Sequence, residues 1–114
     1  MDDIALVIDI LTDALSVPVV TEIAPTRPAR LLRVNYQTRE SDALLHRGTA
    51  YLTAWGSSDS DAQGLAETAA YALSDAAQTH DLLSAAYLQR IDRDTWSRDG
   101  QARCTAEVEL TINT

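Results

Sequence analysis

The sequence predicts a single α+β domain over residues 1–114, in which two helices pack on a mostly antiparallel sheet of about four to five strands. The first supporting observation is the run from Arg103 to Ile112, whose polar and apolar residues alternate strictly. A period of two is typical of an antiparallel strand with one buried and one solvated face. The other two observations are a pair of stretches with apolar residues at helical spacing and several shorter alternating runs bounded by turn-forming residues.

Length, composition and charge restrict the class of protein. A chain of 114 residues is long enough for one hydrophobic core, and a hydrophobic content of 46% is ordinary for a globular protein. No apolar run approaches the ~20 residues of a membrane span, and the acidic start Met1-Asp2-Asp3 is unlike a secretion signal, so we expect no membrane partner. The net charge of −8 argues against gripping nucleic acid through its phosphates, but does not exclude lining a channel through which nucleic acid slides, where like charge would prevent sticking.

The first helix is predicted over residues 2–15. Asp2 and Asp3 would lie in its first turn, where the helix dipole favours negative charge. Leu6 is expected near the outer face of this helix and partly exposed, which makes it a candidate contact residue. The inner face is formed by Ile4, Val7, Ile8, Leu11 and Leu15, which recur at intervals of three and four.

Three strands are predicted before the second helix. A short strand over residues 19–23 is followed by two longer strands, over residues 31–38 and 48–55, which form a hairpin. The polar stretch 39–47 between them is predicted to be a long loop. Long loops in small domains are often functional, so this loop is either a contact arm or merely mobile.

The second helix is predicted from about residue 61 to residue 79. Ser60 and Gln63 match a capping box at its start, with the serine hydroxyl bonded to the backbone and the amide bonded back to the serine. Gly64 is unfavourable inside a helix, so its small size is interpreted as a packing requirement.

A final hairpin is predicted around the turn 94–100, with one strand over residues 85–93 and the alternating strand after it. Trp96 lies in this polar turn, either as a lid on the local core or as an interface anchor. Cys104 lies on the apolar side of its strand, so we interpret it as a small core residue rather than a nucleophile.

The sequence contains no recognisable catalytic constellation. His46 and His80 fall in different elements without metal-ligand spacing, and Ser57-Ser58 lacks the Gly-x-Ser-x-Gly elbow of a serine hydrolase. Glu107 and Glu109 project from one strand face as possible paired carboxylates, but no acid, base or pocket residue accompanies them. We therefore expect no enzymatic activity, metal or cofactor, and interpret this strand face as solvated or interfacial.

The order of these elements resembles the tail terminator proteins of long-tailed bacteriophages, especially those of actinobacterial phages and prophages. The likeness spans nearly the whole chain and is carried by the order of its pieces. These are the apolar N-terminal helix, VPVVTEI at 17–23, RPARLLRV at 27–34, AYLTAWG at 50–56, DAQGLAE at 61–67 and TAEVELT at 105–111.

The resemblance implies a structural virion protein that is assembled in the host cytoplasm. Proteins of this family are small α+β subunits that form a hexameric ring. The ring caps the tube of tail protein, stops its polymerisation and joins the tail to the neck of the capsid. The resemblance therefore implies three kinds of partner, namely further copies of the chain, the tail tube protein and the neck proteins, while DNA crosses the channel without specific binding.

A ring built from heterologous contacts needs two different patches on each subunit. We expect these patches on the loop 39–47 and on the polar face of the sheet. The candidate interface residues are Leu6, Arg33, Arg39, Glu40, Asp42, Arg47, Trp96, Arg98, Glu107 and Glu109.

Two alternatives remain open. Within a virion, the chain would be another head–tail connector, an adaptor or a head completion protein. From a different class, it would be a small α+β enzyme or a ligand-binding dimer, which requires a pocket with convergent polar groups.

Overall fold

Two helices pack on one face of a five-stranded, mostly antiparallel sheet in this computed structural model, which confirms the predicted α+β class. The structure describes residues 3–23, 28–94 and 101–113. The elements in chain order are α1 (Asp3–Ala14), β1 (Val19–Val20), β2 (Leu31–Ser41), β3 (Leu45–Gly56), α2 (Asp59–Ala76), β4 (Leu83–Asp94) and β5 (Ala102–Asn113). The strand order across the sheet is β1-β2-β3-β5-β4, and only the pair β1–β2 is parallel.

Helix α1 packs against both α2 and β2, and this double contact sets which of its residues are buried. Leu6 is only 3% exposed and belongs to the core, so the prediction that it lies near the outer face is wrong. The helix buries a wider arc than one apolar stripe, because neighbours cover it on two sides. Leu6 is therefore not on the subunit surface.

The β2–β3 hairpin is longer than predicted. The prediction of a long loop over 39–47 is wrong, because Glu40 pairs with Arg47 and Ser41 pairs with His46 across the two strands. Only residues 42–44 remain between the strands. Strand pairing needs backbone groups rather than apolar side chains, so β2 continues through its exposed last residues up to Ser41 while β3 stays paired with β5 as far as Leu45.

Helix α2 is capped by Ser58 rather than by the predicted Ser60. Gly64 is exposed on this helix, and a Cβ added there would meet no atom within 4 Å, so the proposed packing role of this glycine is wrong. The small side chains that let the helix approach the sheet are instead the buried Ala62, Ala66, Ala69 and Ala70.

The alternation predicted for the last strand is confirmed. Along β5, the burial alternates without a break, and β5 lies between β3 and β4 in the sheet. The buried side chains are Cys104, Ala106, Val108, Leu110 and Ile112. Trp96 and Arg98 of the predicted turn lie outside the described residues.

One close approach in the hairpin depends on a glycine. A Cβ on Gly48 would lie 2.5 Å from the hydroxyl oxygen of Tyr36 and 2.5 Å from the carbonyl oxygen of Gln37. The absent side chain therefore lets the Tyr36 ring cross β3 at the edge of the core. Burial, together with the nearby negative charge of Asp3, raises the pKa of Tyr36 to about 12.

Candidate assembly surfaces

The open sheet face is the surface formed by the side chains of β2 to β5 that point away from the helices. No helix of the described residues covers it, since both helices pack on the opposite face. Neighbouring strands bring polar side chains into rows, such as Asn35–Tyr51–Glu107–Arg90. Near Gly56 this face is not open, since Leu31, Thr53 and Trp55 are buried there. Its more accessible residues include Asn35, Gln37, Arg39, Glu40, Arg47, Thr49, Tyr51, Tyr87, Arg90, Asp92, Thr105, Glu107, Glu109 and Thr111.

The carboxylates of Glu107 and Glu109 both have arginine partners from other strands. Arg39 donates a hydrogen bond from Nη2 to Oε1 of Glu109, and Nε of Arg90 lies 3.9 Å from Oε2 of Glu107. The side chain of Arg39 is 53% exposed and that of Glu109 is 36% exposed. Ion pairs this exposed contribute little to stability and can exchange partners at small cost, which suits a contact surface better than an acid–base pair.

Arg33 lies on the same face, opposite Thr53 and near the end of the sheet where β3 ends at Gly56. Its Nε is buried and has no hydrogen-bond partner among the described residues. At the same end, the guanidinium of Arg103 lies 5.7 Å from the ring centroid of the buried Trp55, a cation–π contact.

The hairpin tip comprises residues 41–45 and is held by the carboxylate of Asp42. Its Oδ1 accepts the backbone N–H groups of Leu44 at 2.8 Å and Leu45 at 2.9 Å, while the N–H of Asp42 donates to the carbonyl oxygen of Leu45. These two N–H groups hold the pKa of Asp42 below its ordinary value. The turn is thus fixed by its own hydrogen bonds, and it presents Leu44 at 75% exposure.

An ion pair flanks the hairpin tip. Nη1 of Arg47 lies 3.5 Å from Oε2 of Glu40 across the hairpin, and both side chains are more than half exposed. The structure therefore places the predicted Glu40, Asp42 and Arg47 together at the turn end of the β2–β3 hairpin, although this segment is mostly paired strand rather than loop.

A second surface feature is the interhelix cleft, a space of about 350 Å³ between the end of α1 and the first half of α2. Leu65 is buried at its floor, Leu15 and Val17 are half-buried, and Gly64 leaves its wall open. The cleft was not predicted, because its walls come from segments far apart in the sequence. Its lining residues are Ala14, Leu15, Ser16, Val17, Arg30, Ser60, Asp61, Gly64, Leu65 and Thr68.

The charged groups of the interhelix cleft are already paired. Asp61 Oδ2 accepts the backbone N–H of Ser57 at 2.9 Å and the Nε–H of Arg30 at 3.1 Å. The Ser57 N–H foremost, with the charge of Arg30, lowers the pKa of Asp61. These contacts pair the charged groups with each other, and the accessible lining of the cleft is mostly polar.

The side chains of His46 and Cys104 lie on the helix side of the sheet and do not line the cleft. Nδ1 of His46 lies 3.0 Å from Oδ2 of Asp3, a contact that ties the first turn of α1 to β3. Cys104 is buried, and desolvation raises the pKa of its thiol. Within ranges 3–23, 28–94 and 101–113, no three His, Cys, Asp or Glu side chains are grouped to hold a metal ion. Neither described helix combines the length and apolar character needed to cross a membrane.

Comparison with known proteins gives no relative for this chain, since no family model and no curated protein matches it.

Proposed function

We propose that the chain is a tail terminator subunit, which assembles into a ring on the end of a phage tail tube, stops tube growth and joins the tail to the capsid neck. The proposal makes it a structural virion protein with no catalytic role. Its partners are further copies of itself, the tail tube protein and the neck proteins. The sequence resemblance over nearly the whole chain is the starting point.

The observation that carries the proposal is the presence of two unlike surfaces on one small subunit. One comprises the open sheet face and the projecting hairpin tip with the exposed Leu44. The other is the interhelix cleft. A ring needs such a pair, because each subunit contacts one neighbour with one patch and the other neighbour with a different patch.

Charge supports the same function. With a net charge of −8, the subunit carries a surplus of carboxylates, and a ring of such subunits repels the DNA backbone. DNA that crosses the ring during packaging or ejection would then slide without sticking. Glu107 and Glu109 on the open sheet face are the carboxylates best placed to serve either the channel or a subunit contact.

The test is a growth-arrest assay with the tail tube protein encoded by the same genome. Tubes are polymerised with and without this chain, and their lengths and end structures are compared by electron microscopy. The proposal predicts that added chain halts growth and leaves a ring on the tube end. Tubes that keep growing with bare ends would refute it, and binding to the capsid-side connector alone would identify another neck component.

A further inference from the structure

We infer that two copies of this chain associate through the outer edge of β4, by pairing residues 86–93 antiparallel with the same residues of the second copy in one continuous sheet. β4 is an end strand of the sheet, and no other described strand lies beyond it. A two-fold contact of this kind closes at two copies, so it is separate from the ring contacts of the proposed function and does not rest on them.

The backbone groups that point away from the sheet define this edge. In an antiparallel pair, successive residues turn their N–H and C=O groups alternately toward the partner strand and away from it. The N–H of Asn113 donates to the carbonyl oxygen of Leu82, so the odd-numbered residues of β5 turn their backbone groups toward β4. The β4 partners of the even-numbered residues therefore turn theirs outward. These outward residues are Ala86, Leu88, Ile91 and Arg93.

Most of the outward groups have no acceptor or donor within the chain. The hydroxyl of Ser74 on α2 donates to the carbonyl oxygen of Ala86 at 3.2 Å, as expected of a carbonyl that β5 does not use. Among the described residues, no hydrogen bond reaches the outward groups of Leu88, Ile91 and Arg93. A row of unpaired backbone groups is a template for another extended strand.

The spacing of the outward residues reads the same in both directions. The register with β5 shifts between Leu88 and Arg90, so three residues rather than two separate Leu88 from Ile91. Antiparallel pairing of two copies aligns Ala86 with Arg93 and Leu88 with Ile91, and identical bulges bend both strands alike. Every other antiparallel offset of β4 on itself aligns at most two of the four outward residues. The edge of β4 is therefore matched by a second copy in one register.

The side chains opposed in this register are compatible. Leu88 and Ile91 lie on the helix side of β4, where both are half-buried against the core. Each would cover the other across the contact, which removes apolar surface from water. On the open sheet face, Tyr87 of one copy would lie opposite Asp92 of the other, and within residues 86–93 no two like charges are directly opposed.

The helices of the two copies fit side by side. Opposed residues of paired strands share a face, so both helix layers lie on the same side of the joined sheet. Helix α2 packs across β3, β5 and β4, which places its axis over the middle strand, β5. Three strand spacings of about 4.8 Å would separate the two α2 axes by roughly 14 Å. This exceeds the helix diameter of about 10–12 Å, so the helices would not collide.

The size of the contact predicts its strength. Stable interfaces bury about 800 Å² per partner, and one pair of short strands covers less than that. We therefore expect a reversible dimer with a dissociation constant above about 1 µM.

The first experiment is disulfide trapping at the exposed pair Tyr87 and Asp92. Chain with Tyr87→Cys is mixed with chain with Asp92→Cys and oxidised, and a dimer should form on a non-reducing gel. Each variant alone is the matched control, because two copies of one position would lie about five residues apart along the strands. This is roughly 17 Å, too far for a disulfide. Cys104 is buried and should take no part.

Sedimentation equilibrium of the unmodified chain between about 1 µM and about 1 mM supplies the second readout. Leu88→Lys places a charge against Ile91 of the other copy and should weaken dimerisation about tenfold or more. Tyr71→Lys, at an exposed position of α2, is the matched control and should leave dimerisation unchanged. Circular dichroism checks that both variants fold. If Leu88→Lys does not fold, the trapping result decides.

A monomer over the whole concentration range, with no mixed disulfide above the background of the single variants, would overturn the inference. A dimer of the unmodified chain that neither forms the mixed disulfide nor responds to Leu88→Lys would also overturn it, because its contact would lie elsewhere. Failure of the chain to cap tail tubes would refute the proposed function alone, since neither measurement uses tubes.

Discussion

The hydroxyl oxygen of Ser58 accepts the backbone N–H of Asp61 at 3.1 Å, and this bond caps the first turn of α2. Ser58→Ala should lower the free energy of unfolding by about 1 kcal/mol, because the N–H of Asp61 loses its acceptor. Ser60→Ala is the matched control, since Ser60 lies within the helix and should change stability by only a few tenths of a kcal/mol. Urea titrations followed by circular dichroism measure both variants. Equal losses would contradict the assignment of the cap.

Two glycines should respond in opposite directions to alanine. Gly64→Ala should raise the free energy of unfolding by about 0.5–1 kcal/mol, because the position is helical, exposed and free of neighbours. Gly48→Ala should lower it by about 1–3 kcal/mol, because the new Cβ would collide with Tyr36 and with the carbonyl oxygen of Gln37. Thermal unfolding of the two variants measures the difference, and a destabilised Gly64→Ala chain would show that this position is packed.

The carboxyl group of Asp42 should titrate below its ordinary pKa of 3.8, because the N–H groups of Leu44 and Leu45 favour its charged form. The unfolded chain lacks these bonds, so the folded pKa is the lower of the two. The stability that Asp42 contributes is present above about pH 3.8 and is lost as the pH falls through the folded pKa.

Amide NMR signals of Leu44 and Leu45 report this titration directly. The pH midpoint of the change in their chemical shifts should lie below 3.8. Asp42→Asn should abolish this titration while keeping an acceptor oxygen in the turn. A midpoint at or above the ordinary value would mean that the two N–H groups do not bond to this carboxylate in solution.

Cys104 should be unreactive in the folded chain. Its side chain is fully buried, and desolvation raises the pKa of the thiol, so little reactive thiolate reaches solvent. A coloured thiol reagent should react about a hundredfold or more slowly with folded chain than with chain in concentrated urea, since reaction requires opening of the core. Fast reaction of folded chain would place this cysteine on an accessible surface.

Reversal of charge at Arg47 should weaken assembly and leave the fold intact. The pair with Glu40 is exposed, so Arg47→Glu should change the free energy of unfolding by less than about 1 kcal/mol. Capping of tail tubes should fall several-fold if Arg47 faces a neighbouring subunit. The matched control is the double variant Glu40→Arg, Arg47→Glu, which restores the local pair with reversed polarity. Unchanged capping by the single variant would remove Arg47 from the contact surface.

The sequence predicted the features of the fold that depend on regular spacing. The alternation along β5 is visible in the sequence because the helices cover only one face of this strand. Every second side chain is therefore buried and apolar. The long hairpin arm was missed for the complementary reason. Glu40 and Ser41 are exposed at the end of β2, and Arg47 points to the face away from the helices, so their composition resembles that of a loop although their backbones pair.

Local errors have equally physical causes. Leu6 breaks the pattern of one apolar stripe because α1 is wedged between a strand and a second helix, an arrangement that depends on tertiary contacts. Ser58 and Ser60 are both plausible caps in a serine-rich turn, and the choice depends on the direction in which the chain leaves β3. The strand predicted over 19–23 forms only at Val19–Val20, because its parallel pairing with β2 involves two residues, too few for a periodic signal to set its length.

Of the two candidate surfaces, the sequence predicted one and not the other. The polar face of β5, with Glu107 and Glu109, was predicted because alternation assigns each residue to a face. The interhelix cleft was not predicted, since Leu15, Arg30 and Leu65 meet only after folding. Leu44 offered a signal, a leucine inside a polar stretch, but its exposure became interpretable only once Asp42 was seen to hold the turn.

Electron microscopy of tail tubes grown with this chain tests the proposed tail-capping function. The measurement is the fraction of tube ends that carry a ring, together with the averaged structure of that ring. We expect rings on the ends of arrested tubes, each ring built from several copies of this chain. Bare ends on tubes that keep growing in the presence of excess chain would contradict the proposed function.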